Sequence, residues 1–164
     1  MLITITGTPG TGKTHIAKKL KNFKYFDLNG FIKKNKLFYK YDKKDMTYDV
    51  DVKKIRSLNK RFSKYLDKEK NALLKRHYDK SIDLKTLQDL LKHSSGIIID
   101  SHLSHYLKSD LCILVKSDIK NIKKRLEKRD YAEKKIQDNI QSEIFDICLE
   151  EAVREKNNIV ILKN

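Results

Sequence analysis

The sequence predicts an α/β fold in which a five-stranded parallel sheet carries helices on both faces. Two observations predict it. Apolar runs of strand length alternate with stretches whose apolar residues recur at helical spacing. A glycine-rich turn also stands between the first apolar run and the first helical stretch. The first run, Leu2-Ile3-Thr4-Ile5-Thr6, is rich in β-branched residues that suit a pleated surface. His15 to Leu20 then reads as a helix, and Lys24-Tyr25-Phe26-Asp27 as a short second strand. Residues 96–100, 111–115 and 158–162 are nearly continuous apolar runs, as expected of parallel strands buried on both faces. Ile119, Ile122 and Leu126 mark one helix stripe, and Ile136, Ile140, Ile144, Ile147 and Val153 a longer one. Strands joined through such helices require right-handed crossovers.

The stretch 51–93 differs. Ile55, Leu58, Phe62 and Tyr65 give one helical stripe, Leu73 and Leu74 a weak second. Leu84, Leu87 and Leu91 give a third, with Asp83 placed as its N-cap. The stretch shows no strand signal and is rich in lysine, so it reads as a helical basic subdomain over the sheet's carboxyl edge. The whole chain, 1–164, is expected to be a single domain with a core of ordinary size.

Net charge is +15 and unevenly placed. Residues 1–80 hold 22 Lys+Arg against 8 Asp+Glu, and residues 81–164 hold 15 against 14. A nucleotide's few phosphates do not need such an excess, so a polyanion such as RNA is the expected partner of the first half. A lysine-rich solvated surface is the plainer alternative. Cys112 and Cys148 offer neither metal spacing nor a disulfide framework, and Cys112 sits in an apolar run as a buried thiol. No apolar stretch reaches membrane-spanning length, and a cytoplasmic location (nuclear in a eukaryote) is expected.

The chemistry begins at Gly7-Thr8-Pro9-Gly10-Thr11-Gly12-Lys13-Thr14, a complete G-x-x-x-x-G-K-[ST] phosphate-binding loop. Gly7, Gly10 and Gly12 let backbone N–H groups turn inward around a phosphate. Lys13 brings a point charge to the β- and γ-phosphates, and the Thr14 hydroxyl is a Mg²⁺ ligand, so ATP and Mg²⁺ are the expected cofactors. Gly96-Ile97-Ile98-Ile99-Asp100 is an apolar strand ending in a carboxylate, the form of a second Mg²⁺-holding motif. Asp27 and Asp118 also follow apolar runs; Asp100 is preferred because His102 follows it closely. The chain has six arginines against 31 lysines, so Arg125 and Arg129 at helical spacing stand out as forks for a transferring phosphoryl group. Their bland reading is one solvated helix face.

Gly7–Thr14, Asp100-x-His102, and Arg129-x-Tyr131 followed by Lys134-Lys-Ile136-x-x-Asn139-Ile-x-x-Glu143-Ile together resemble the adenylate kinase isoenzyme 6 family. Lys24-Tyr25, Leu37-x-x-x-Tyr41-Asp42 and Asp49-x-Asp51 are similar to its monophosphate-binding segment. The likeness covers roughly residues 1–55 and 95–155. It implies a P-loop kinase fold with a monophosphate-binding segment at 27–50 and a short lid at 128–138. It implies that Gly10, Gly12, Lys13, Thr14 and His15 contact ATP phosphates, that Arg129 closes over them, and that Asp100 and His102 serve Mg²⁺ and water placement. It further implies a small-subunit ribosomal protein of the platform as partner.

Four departures stand out. His15 replaces a usual second hydroxyl residue, and Asp130 replaces the glycine of the lid's Arg-Gly-Tyr. Residues 66–93 exceed the family's usual connection. No arginine occurs between 27 and 50, and Lys33 stands where one would help bind a monophosphate.

Two functions follow. The first is a Mg²⁺-dependent nucleoside-monophosphate kinase, ATP + AMP to 2 ADP, with AMP or dAMP as acceptor, ATPase activity and a part in small ribosomal subunit assembly. The alternative is an ATP-driven assembly factor that contacts ribosomal RNA and has only incidental kinase activity. A kinase for a hydroxyl-bearing metabolite would need a carboxylate base, for which Asp27 is the candidate.

Overall fold

The structure is a computed structural model that describes residues 1–42, 47–67 and 81–164. Its main sheet contains β1 (Leu2–Thr6), β2 (Phe23–Asp27), β5 (Ser81–Ile82), β6 (Gly96–Asp100), β7 (Leu111–Lys116) and β8 (Ile159–Lys163). The strand order is β2-β6-β1-β7-β8-β5, and every pairing is parallel. A separate antiparallel pair joins β3 (Phe38–Asp42) to β4 (Thr47–Val50). The helices are α1 (Lys13–Lys19), α2 (Leu28–Lys34), α3 (Val52–Ser57) and α4 (Asn59–Phe62) in the first half. In the second half they are α5 (Leu84–Leu91), α6 (Ile119–Glu127), α7 (Glu133–Ile144) and α8 (Ile147–Arg154).

Strand alternation sends each side of β1 to a different core. Ile3 and Ile5 join Ile98 and Ile113 under α1 and α5, whereas Leu2 faces Leu28, Ile32 and Ile55 of α2 and α3. Helices therefore cover both faces, as the sequence predicts. Thr4 and Thr6 lie on the second side, fully buried, and their hydroxyls meet Ser109 Oγ (3.0 Å) and His105 Nδ1 (2.8 Å). A polar side chain so enclosed is tolerated because it is partnered.

Three expectations are corrected. The sheet has six strands, not five, because Ser81 and Ile82 pair with Ile161 and Leu162 at its edge. Two residues are too few for any period to show in a sequence. Leu87 and Leu91 of α5 lie in the core beneath β1 and β8, so this end of the 51–93 stretch packs on the sheet's face. Asp83 does cap α5, accepting from Thr86 N at 2.7 Å. Leu73 and Leu74 lie outside the described residues. The long stripe from Ile136 to Val153 is broken: Ile136 and Ile140 are buried against Ile122 and Leu126, but Ile144, Ile147 and Val153 are exposed. Asp146 takes φ 54° between α7 and α8 and turns the chain there. Both cysteines are free, and burial pushes the Cys112 thiol up to about 12 and the Cys148 thiol up to about 11. Among the described residues, no helix is long and apolar enough to cross a membrane.

Candidate active site

The loop after β1 takes its shape from three glycines at φ 133° (Gly7), 95° (Gly10) and 99° (Gly12). A Cβ at Gly7 would meet Val115 O at 2.3 Å, and one at Gly12 would meet Asn164 Nδ2 at 2.2 Å. At Gly7 neither conformation nor space admits a side chain, while at Gly12 the positive φ is the bar, since the Asn164 tip could swing away. Thr11 closes the turn internally, donating from Oγ1 to Thr8 O at 2.9 Å. The loop is also braced from outside. Arg125 donates to Gly10 O (3.0 Å) and Thr11 O (3.2 Å), and Asn164 Nδ2 to Thr11 O (2.7 Å).

Lys13 sits half-buried at the start of α1, with Nζ donating to Gly7 O (2.7 Å) and Thr8 O (2.9 Å). Burial, against Cys148 and Asp100 and with a smaller push from Arg129, lowers its pKa to about 8. Thr14 Oγ1 donates to Asp100 Oδ2 at 2.5 Å, which brings together the two predicted metal ligands from elements 86 residues apart. Tyr25 donates to the same oxygen at 2.9 Å, and burial, then the Asp100 carboxylate, raises its own pKa. This donor set is all oxygen, one carboxylate and one hydroxyl, beside a loop for phosphates. It fits Mg²⁺, a hard cation that keeps several waters and takes few protein ligands.

These residues open onto a cleft of about 1140 Å³. Gly10, Gly12, Lys13, Thr14, His15, Asp100, His102, Arg125 and Arg129 all line it, and Gly7 lies just behind Lys13. His102 is exposed to the cleft. The protein mass around it and the neighbouring Lys13 ammonium hold its pKa well below the ordinary histidine range. Arg129 and Tyr131 enter from the turn between α6 and α7, where Lys135 Nζ stands 4.1 Å from the Tyr131 ring centroid. Asp130 has φ 54°, a left-handed conformation that glycine takes freely and aspartate tolerates.

Another side of the cleft is formed by Asn29, Ile32 and Lys33 of α2 with Thr47, Tyr48 and Val50 of β4. Lys33 Nζ lies 5.0 Å from the Tyr48 ring centroid, and Tyr48 packs on Phe38 and Tyr41 at 4.6 Å each. Asp27 is absent from the cleft lining; it caps α2 by accepting from Gly30 N at 3.0 Å. Asp118 leads α6 without a side-chain cap bond. Of the candidates, only these two alternative carboxylates stand apart.

Five contributors carried no signal of their role in the sequence: Tyr25 reaches Asp100 from β2, Asn164 reaches the loop from beyond β8, and Glu151, Tyr106 and Cys148 line the cleft from elements distant in the chain. No spacing rule reaches such pairs.

Comparison with known proteins shows the family. A family described as an AAA domain matches residues 3–146. Proteins named "Putative adenylate kinase" from Methanocaldococcus jannaschii and Methanosarcina mazei are similar to the chain. The first is 37% identical over 152 residues, covering 91% of this chain and 70% of the relative. The second is 36% identical over 156 residues, covering 93% and 72%. A protein of Schizosaccharomyces pombe named as an adenylate kinase isoenzyme 6 homolog is 33% identical, with 92% and 73% covered. On the matched loop, the Thr14–Asp100 pair and this degree of identity, the chain belongs to the adenylate kinase isoenzyme 6 family of P-loop proteins.

Proposed function

We propose that the chain transfers the γ-phosphoryl group of ATP to a nucleoside monophosphate, AMP or dAMP, with Mg²⁺, and that it also hydrolyses ATP. The coarse activity is firm: the chain is a phosphotransferase of adenylate kinase type. The observation that carries the finer reading is the Thr14–Asp100 contact at 2.5 Å beside Lys13, in a cleft with a second, Lys33-bearing side. Its volume, about 1140 Å³, exceeds the ~300–1,000 Å³ usual for one small ligand and suits two nucleotides.

An acceptor phosphate is already anionic and needs no general base, so alignment and charge neutralisation are the whole task. The glycine loop cradles the donor phosphates with backbone N–H groups, and Lys13 leaves the Gly7 and Thr8 carbonyls for them. Thr14 and Asp100 would hold Mg²⁺, which would supply charge neutralisation to the phosphates. Tyr25 fixes the Asp100 carboxylate by occupying Oδ2. Arg129 reaches in from the lid turn, while Arg125 keeps the loop's own carbonyls in place. His102 places and polarises water when no acceptor is bound.

The decisive experiment measures ATP turnover with AMP, without acceptor, and with small ribosomal subunit components added. AMP-dependent formation of ADP is the expected result; its absence overturns the kinase reading. His102→Ala should slow hydrolysis more than transfer to AMP, and equal losses would remove its role with water.

The charge of residues 1–80 and the lack of arginine in 27–50 favour a second reading, an ATP-driven assembly factor that contacts RNA. Reversing the charge of Lys64, Lys68, Lys75 and Arg76 should then weaken RNA binding and flatten its salt dependence, about −0.7 in log–log slope per phosphate on single strands. Of these, only Lys64 lies among the described residues. RNA binding that survives the reversal unchanged would identify the charge as a solvated surface.

A further inference from the structure

Behind the phosphate loop lies a histidine that the reaction as described does not use. His105 is completely buried in the 3-10 turn Ser104–Tyr106 that follows β6. Its Nδ1 is 2.8 Å from Thr6 Oγ1, and Thr6 is the last residue of β1 before Gly7. Its Nε2 is 3.1 Å from Glu151 Oε2 on α8. Its backbone carbonyl accepts from Asn157 Nδ2 at 2.6 Å. Three elements thus meet on one side chain.

The Thr6 hydroxyl has one proton and two acceptors in reach, His105 Nδ1 and His102 O at 3.2 Å. Burial holds the His105 ring on the neutral side, although the Glu151 carboxylate pulls the other way. A neutral ring facing a carboxylate carries its proton on Nε2, which leaves Nδ1 to accept from Thr6. The opposite tautomer would set two acceptors against each other at Glu151. The tautomer that fits has Nδ1 accepting from Thr6 and Nε2–H beside the Glu151 carboxylate, a charge contact at 3.1 Å whose angle falls outside that of a hydrogen bond.

We propose that His105 is a positioning residue that locks β1, the turn after β6 and α8 together, and so sets where His102 stands over the phosphate loop. The turn transmits the constraint. Ser104 N bonds Ser101 O at 3.2 Å and Leu103 N bonds Ser101 Oγ at 3.0 Å, so His102 and His105 move as one piece. The role deepens the reading that His102 places water, and rests on it. A misplacement of about 1 Å can cost up to ~10²-fold in rate.

Thr6→Val removes the hydroxyl at nearly constant shape, and Thr6→Ser keeps it. In the full chain, imidazole ¹H–¹⁵N spectra should show His105 protonated at Nε2. Thr6→Val should shift the His102 ring resonances and lower kcat for ATP hydrolysis about tenfold, with KM for ATP within about twofold. Thr6→Ser should restore both. His105→Gln should reproduce the Thr6→Val pattern. An Nδ1-protonated ring, or unmoved His102 resonances in Thr6→Val, overturns the proposal. So does a fall in ATP affinity matching the fall in kcat, the mark of general structural damage. Should the native chain phosphorylate no monophosphate while these shifts occur, the kinase reading fails and the positioning role stands.

Discussion

The phosphate-loop side of the cleft is held by directed bonds from four separate elements, whereas the α2–β4 side rests on rings and cations. On the first side, Arg125 and Asn164 bond the loop's carbonyls while Tyr25 and Thr14 converge on one oxygen of Asp100. On the second side, Tyr48 meets Phe38 edge-on and Tyr41 at a tilt, and Lys33 covers Tyr48. A directed bond fixes an atom to a few tenths of an ångström. A ring pair at an exposed site contributes about 0.5–1.5 kcal/mol and allows sliding. The molecule thus fixes its phosphate loop with directed bonds and holds its α2–β4 side with contacts that can slide.

Four substitutions test that contrast. Lys13→Ala should have the largest effect, about 10³-fold on turnover both with and without acceptor, because no other side chain brings a cation to the loop from α1. Circular dichroism and melting should change little; retained turnover would show that the loop is not the reaction centre. Gly7→Ala comes next. Its Cβ would stand 2.3 Å from Val115 O at φ 133°, so a loss of about 3 kcal/mol in denaturant unfolding is expected. A loss below 1 kcal/mol, roughly the cost of an ordinary glycine replacement, would mean the loop yields far more than its bonds imply.

Lys33→Arg probes the softer side. A guanidinium fork can take two oxygens of a monophosphate where an ammonium offers a point charge, so KM for AMP should fall about fivefold. KM for ATP should stay constant, and a parallel change in both would mean the two sides are not independent. Asp130→Gly is the smallest step. Relief of the left-handed aspartate should add about 0.5–1 kcal/mol of stability in a denaturant titration. A loss of stability would show that the Asp130 side chain makes a contribution larger than its strain.

The phosphate loop was fully legible in the sequence because its geometry is local: each glycine's identity reports its own backbone conformation. Asp100 was legible for a similar reason, as the carboxylate that ends an apolar strand. Tyr25, Asn164 and the His105–Glu151 pair were not, since each acts across 46 to 153 residues and no period connects such positions. The edge strand Ser81–Ile82 was missed for its brevity, and the break at Asp146 because neither glycine nor proline marks it. Asp130 shows the reverse. The sequence flagged a residue out of place, and the backbone angle at that position supplies the reason.

The position of β1 has a bearing on how the chain is made. β1 lies between β6 and β7, so Leu2–Thr6 finds its first neighbours only when residues 96–100 and 111–114 have been synthesised. Until then the strand's isoleucines, and those of the segments that will pack on them, have no sheet to join. Parallel pairing at such separation is intrinsically slow and leaves apolar segments open to aggregation. The waiting portion is also the part that carries 22 Lys+Arg against 8 Asp+Glu, and like charge keeps such chains apart. In the nascent polypeptide, the positive excess of residues 1–80 opposes association between chains until residues 96–114 arrive to flank β1.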